Sequence, residues 1–535
     1  FTSGGSSGGV QRDTQNNFEL QNYSTGTYGA HALRFGARLR LYDDTSYSTA
    51  GQNGTYTFKS VGDYNASQPS QYLVSNIYHP LVNVLLFDGA FFLQDDWRWK
   101  PNFMMSAGLR AEGQNRIHDH LDWAPRLAIA WSPKHSGSAP AKTVIRAGYG
   151  WFYNRFTVPN SFSADSGTPY LDQVIHNNLI NGEGNVAQCP CAATPAGTPT
   201  YESIDPHFHA ALDMQAGIGV DRQIKGGITA NLTYLYTQGV HQYLLNNVTA
   251  PAFDVAAYTP TTSTPPIYDY QFQSGGVYRQ NQLIFTANAR VGHFDFNPTY
   301  VLNQAKSDTQ DATYIPSFAQ NPGLDYGRAS FGYRQRFVFL SSYAGPYGIV
   351  FGSLLIAQSG TPYNITVGND LTQNLEFNAR PTYGVCGAPD VVATQYGCLD
   401  TSPAGKGERL VPYGVGTGPA HVVYHVRLSK VVGVGPRVRT TTAEGTTYSA
   451  GGNSVSGRGL SASGGGVKLD QTAPRRYNLT FVASAANLFN DVNLAAPNGV
   501  LLSPLFNKSQ SLASGPFANP TPGNRAISFQ ATFTF

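Results

Sequence analysis

Apolar and polar residues alternate with a period of two, in runs of about ten to thirteen residues, along the whole chain. The run NRAISFQATFTF is the clearest. Ile527, Phe529, Ala531, Phe533 and Phe535 fall on one face, and Ser528, Gln530, Thr532 and Thr534 on the other. In HALRFGARLRLY, Leu33, Phe35, Ala37, Leu39 and Leu41 oppose Arg34, Gly36, Arg38 and Arg40. KTVIRAGYGWFY, GITANLTYLYT and NLTFVASAANLF repeat the pattern. A period of two is the period of a β-strand, because successive side chains leave opposite sides of the backbone.

A soluble sandwich also alternates, so length and composition decide. The runs are near the length of a tilted membrane-crossing strand and longer than the usual soluble strand of about five to six residues. Charged residues make up only 13% of the 535-residue chain, against about 25% in a typical globular protein. Mean hydropathy is −0.26. No stretch approaches the roughly 20 apolar residues of a spanning helix. A barrel reconciles these facts, since lipid-facing and interior residues alternate and average out. Trp97, Trp99, Trp131, Trp151 and Tyr153 gather near strand ends, as an aromatic girdle does. The expected fold is therefore an all-β, transmembrane antiparallel barrel. The net charge of +3 is too balanced to argue for nucleic acid.

About fifteen strands are expected, near 17–27, 31–44, 83–99, 102–113, 122–133, 142–154, 208–223, 226–240, 278–291, 293–306, 332–344, 347–360, 419–432, 475–489 and 524–535. Short connections (TYGA, WKPN, IKGG, Gly292, AGPYG) mostly alternate with long ones near 45–82, 155–207, 241–277, 307–331, 361–418 and 490–523. Outer-membrane barrels have short periplasmic turns and long outer loops. This sets the expected direction: long loops outside, C-terminus in the periplasm. Residues 1–16 are expected to end an outer loop, and 17–535 to form the wall. Residues 433–474, Gly/Ser-rich, are expected to be a flexible periplasmic insert. An odd strand count is unusual for a bacterial single-chain barrel. The chain also opens FTSGGSSGGV, without the basic and apolar regions of an export signal. Processing, or a C-terminal portion of a larger barrel, is the expectation.

Of four cysteines, Cys386 and Cys398 close a short loop, which favours a local disulfide. Cys189 and Cys191 are too cramped for a relaxed bridge. Zinc is the alternative for the four, but their spacing lacks a second CxxC or an HxxxH.

The ordered set GAFFLQDDWRWKPNFMMSAGLRAE, WAPRLAIAWSP, TVIRAGYGWFYN, NPGLDYGRASFGYRQRFVFLSSY, SGTPYNITVG, YNLTFVASAANLFNDVNLAAPNGVLLSPLF and NRAISFQATFTF resembles TonB-dependent receptors, in particular the Oar-like branch. The resemblance covers nearly the whole chain from residue 17. It implies a barrel of about 22 strands around an N-terminal plug, driven by the TonB system. This chain shows no plug, TonB box or leading domain and has about seven strands too few; the resemblance places them on the same or a cleaved chain. Phe533 and Phe535 resemble the terminal aromatic signal of the outer-membrane assembly machinery.

Arg34, Arg38, Arg40, Arg110, Arg126, Arg146, Arg290 and Arg427 lie on the predicted interior face. A charge on the lipid face would cost about 2–4 kcal/mol at the midplane. These arginines are expected to pair with plug or neighbouring-strand carboxylates such as Glu112 and Asp221; anionic cargo is the alternative. His118, Asp119 and His120 form an HDH run, and His207 and His209 an HxH. Two imidazoles on one strand face can share a metal, but a site wants three or four ligands. Exposed, metal-free histidines are the expectation. Asp308, Asp311 and Asp325 lack the spacing of a calcium loop. No Ser/His/Asp grouping, phosphate loop or paired carboxylates stand out, so neither enzyme activity nor a cofactor is expected. The glycines at Gly148, Gly150, Gly217 and Gly219 lie inside strands, where they relieve crowding. The expected function is a TonB-dependent receptor-like transporter for an unidentified ligand, embedded in outer-membrane lipid. The rivals are a barrel scaffold for adhesion and a passive porin.

Overall fold

The computed structural model describes the chain apart from residues 1, 5–8, 50–54, 59, 67–70, 77–79, 134–140, 158, 162–170, 177–193, 196–199, 226, 264–267, 375, 438–474, 516–522 and 535. The alternating runs form one antiparallel meander. Its strands are β1 (Gln11–Tyr28), β2 (His31–Ser48), β3 (Leu81–Lys100), β4 (Phe103–Gln114), β5 (Asp122–Trp131), β6 (Thr143–Asn154), β7 (Ala211–Lys225) and β8 (Ile228–Asn247). β9 (Tyr268–Val291), β10 (Phe294–Ser307), β11 (Gln335–Ala344), β12 (Ile349–Gln358), β13 (His421–Arg437), β14 (Arg475–Ala486) and β15 (Ala526–Thr534) continue it. Each strand pairs antiparallel with the next in sequence. Among the described residues, β1 and β15 share no ladder.

Several strands depart from the ranges the periodicity indicated: β11 begins at Gln335 rather than 332 and β14 stops at Ala486 rather than 489, while others reach further. β1 takes in residues 11–16, so the supposed loop end is shorter than 1–16. β9 begins at Tyr268, ten residues early, where Thr200–Ile204 adds to it in parallel. β13 runs through Arg437, so residues 433–437 are wall; the rest of the Gly/Ser-rich segment lies outside the described residues.

The pleat separates two faces. In β3, Val84, Leu86, Asp88 and Ala90 are buried, while Leu85, Phe87, Phe91 and Leu93 are exposed. Register carries this division across the sheet. Arg40 lies opposite Asp88, Arg126 opposite Gly150 and Gln282 opposite Asn303, all on the inner face. Phe529 on the outer face is 82% exposed, an apolar exposure that only lipid resolves. Trp123 and Trp131 bracket β5. Their separation is about 26 Å of strand, or about 20 Å of depth at a tilt of about 40°, close to an apolar band of about 25 Å. At the short-turn rim, Trp97, Trp99 and Phe103 pack with centroids 6.2 and 5.7 Å apart. Tyr477 stacks on Phe533 at 6.1 Å. No helix among the described residues is long and apolar enough to cross a membrane.

At the opposite rim the long connections pack into two apolar cores. One gathers Ile117, Phe156, Phe208, Leu245, Tyr268 and Phe272. The other joins Tyr363, Ile365, Leu399 and Val411 to Leu501. Ala513 packs with Ile356 and Val423 on the inner face of the wall.

Candidate functional site

The inner face of β1–β7 carries a charge network, set by cross-strand register except where Arg110 and Glu112 pair along one strand. Arg34 meets Asp96 at 2.8 Å, Arg38 meets Glu19 at 2.7 Å, and Arg40 meets Asp88 at 2.9 Å. Arg110 meets Glu112 at 3.1 Å, and Arg146 meets Asp221 at 3.3 Å. Further along, Arg290 meets Asp295 at 3.3 Å. Six of the eight arginines therefore pair with carboxylates of the wall itself. Arg126 instead lies over the Phe152 ring at 4.6 Å. Gly150 makes that stack possible, since a Cβ there would come within 3.1 Å of Phe152 and 3.4 Å of Arg126. Arg427 faces Gly352 and Ser484 across its two ladders. Arg155 joins the network at 3.2 Å from Asp88 and 3.8 Å from Glu112. It sits just past β6, outside any alternating run, so the sequence offered no signal for it.

Above this network a cavity of about 370 Å³ opens among Asn154, Asp213, Gln242, Tyr278, Thr309 and Phe331. Its walls come from β6–β10 and from the connection that follows β10. Asn154 and Gln242 both donate to Asp213, at 3.1 Å each. Thr309 donates to the Tyr243 carbonyl at 2.6 Å, tying the connection down over the strands. Asp308 beside it accepts from the Val277 amide at 2.7 Å. Burial pushes the Asp308 carboxyl above its ordinary range. Amides, hydroxyls and one carboxylate suit a polar, hydrogen-bonding ligand.

A buried ion pair holds the cap together. Arg380 and Asp325 meet at 2.9 Å with both side chains 1% exposed. The guanidinium lies between the Phe318 and Tyr413 rings, 5.7 and 5.9 Å from their centroids. It donates to the carbonyls of Val411 and Leu324 at 2.7 and 2.8 Å. Asp325 accepts from the Tyr314 hydroxyl and the Ser317 amide at 2.8 and 2.7 Å. The Tyr258 hydroxyl donates to the Arg380 carbonyl, and burial pushes the Tyr258 phenol well up. Three long connections thus share one polar knot.

That knot removes Asp325 from any calcium site. Asp308 is engaged with Val277, and Asp311 accepts from the Thr313 amide and hydroxyl at 2.8 Å each. The three carboxylates serve three separate turns. Cys386 and Cys398 form a disulfide, with Cα atoms 5.3 Å apart. Gly387 and Gly397 flank it at φ +84° and +117°, backbone that a side chain resists. Cys189, Cys191 and Phe535 lie outside the described residues.

The histidines converge. His209 Nδ1 lies 2.6 Å from Asp119 Oδ1, and His118 Nδ1 lies 3.8 Å from the same oxygen. The His207 ring is 5.9 Å from His118, and His241, which the sequence reading passed over, is 5.1 Å from His209. His120 instead turns its Nδ1 toward the Gln114 carbonyl, 3.5 Å away.

Comparison with known proteins places this architecture. The profile of the family described as "Outer membrane beta barrel domain" matches residues 1–120 and 111–526. No curated protein sequence matches the chain. Among solved structures, the outer membrane transporter YddB from Escherichia coli superposes with a TM-score of 0.54 at 12% identity, over 98% of this chain and 54% of that one. The siderophore receptor PirA from Acinetobacter baumannii superposes with a TM-score of 0.51 at 11% identity, over 98% and 55%. The chain spans about half the length of these two structures, and the likeness is one of fold.

Proposed function

The chain belongs to the outer membrane β-barrel domain family, and from that membership we propose that it is part of the wall of a TonB-dependent receptor-like transporter. The observation that carries this reading is the fifteen-strand meander, superposable along almost its full length on a transporter and a siderophore receptor. The capped outer rim adds support, because a packed mouth with a polar cavity beneath it suits capture of a specific ligand. On this reading the long connections face outward and β15 ends in the periplasm. The chain is the C-terminal portion of a barrel of about 22 strands, of the Oar-like branch, and a plug fills the interior. The TonB system supplies energy through that plug, and the assembly machinery reads the aromatic end of β15. No catalytic role is assigned.

The deciding experiment is a density map of the native particle, isolated from outer membranes through this chain. Plug density inside the wall, with further strands joining β1 to β15, is the expected result. An interior open from rim to rim would favour a porin. A complete, plugged particle whose accumulation of extracted native ligands is unchanged by loss of TonB would favour a scaffold.

A further inference from the structure

We propose that the outer rim holds a divalent transition-metal site of the zinc class, built from His118, Asp119 and His209 with His241 as a fourth ligand. The candidate ligand atoms of the first three lie within 4.8 Å of one another. Two imidazoles and one carboxylate are a borderline donor set that favours zinc, nickel or copper over magnesium or calcium. A tetrahedral ion with bonds of about 2.0–2.1 Å sets its ligand atoms about 3.3 Å apart. The present separations of 2.6 and 3.8 Å from Asp119 Oδ1 fall either side of that value. Those two separations need shifts of under about 1 Å to reach it, and all three ligand atoms already lie within 4.8 Å of one another.

The ligands stand on a rigid base. Ile117 and Phe208 are anchored in the apolar core beneath, and His118, His207 and His209 are their immediate neighbours in sequence. The His118 amide donates to the Phe208 carbonyl at 2.8 Å, locking the two connections together. The His209 amide donates to Ser274 Oγ at 2.9 Å. Such support fixes ligand geometry before a ion arrives.

His241 supplies an independent observation. The β8–β9 ladder passes from Gly239–Tyr278 to Gln242–Gly276, so Val240 and His241 together oppose Val277 alone. His241 has φ +55° in this bulge. Bulges re-aim side chains, and left-handed backbone at a non-glycine residue is uncommon. Here the result is an imidazole 5.1 Å from His209 in a strand that would otherwise continue past it. His207, more exposed, stands by at the edge. The site rests on this geometry alone and holds whether or not the barrel transports.

The test is titration of the untagged, metal-stripped full chain in detergent with Co²⁺, followed by competition with Zn²⁺. One equivalent should give visible ligand-field bands that Zn²⁺ abolishes and Mg²⁺ does not. His209→Ala and Asp119→Asn should each weaken binding by about tenfold or more, as should His241→Ala. His120→Ala should leave it unchanged. Heat-modifiable gel migration reports folding of every variant, and Asp119→Asn, nearly isosteric, covers a failure of His209→Ala to fold. Absence of a saturable band, or binding indifferent to both substitutions, overturns the site. Indifference to His241→Ala alone overturns the fourth ligand.

Discussion

Arg380 and Asp325 lie 55 residues apart in sequence and 2.9 Å apart in space, sealed from solvent in the cap formed by the long connections. Removing one partner leaves the other charged and buried, which costs about 3–5 kcal/mol. Arg380→Met should therefore loosen the connections around Tyr258, Tyr314 and Tyr413 while the wall stays folded. Hydrogen exchange should show protection lost there and retained in β3 and β9. Uniform loss would mean that the cap and wall unfold together.

The two faces of the wall should respond oppositely to charge. Leu127→Arg puts a cation on the lipid face, midway between Trp123 and Trp131, at a cost of about 2–4 kcal/mol. Outer-membrane levels should fall, whereas Gln215→Lys on the inner face should be tolerated. Equal levels for both would contradict the facing assigned by register.

Peptide mapping without reduction should recover Cys386 joined to Cys398. Their replacement by serine should cost the cap about 3 kcal/mol on the chain-entropy argument. Protease sensitivity near residues 382–400 is the readout, and free thiols in the native protein would refute the bridge.

Deleting residues 526–535 should abolish insertion, because β14 would then present unpaired backbone groups to hydrocarbon. Wild-type surface levels of the truncated chain would refute this.

Asp308 gives the cap a pH dependence. Its folded carboxyl titrates above the unfolded value because it is buried, so the folded state holds its proton where the unfolded state has released it. This contribution is full below the unfolded pKa and is lost as pH rises through the folded one. Asp308→Asn should flatten that part of the pH profile of cap stability, measured by exchange at Val277. An unchanged profile would assign it to another group.

The wall was legible because one local rule, the period-two face, sets both strand and register. The arginine pairs were legible too: Arg146 and Asp221 belong to neighbouring alternating runs. The cap was not. Arg380 finds Asp325, and Tyr270 donates to the Asn374 carbonyl at 2.7 Å, across separations that no local pattern encodes. His241 was hidden for a different reason. It lies where the ladder slips, one residue past the expected strand 226–240, in a stretch read as a long connection, so no face was assigned to its side chain.

The arginine–carboxylate pairs of the inner face also shape what the interior does at a distance. Six cations each neutralised within about 3 Å act as dipoles, not as a ring of net charge. A dipole field decays faster than that of a bare charge, and water and salt screen what remains. A passing anion would feel little pull until it touched the wall. Long-range steering of a charge is then weak along these six pairs, and what the inner face can recognise there it must recognise by direct contact.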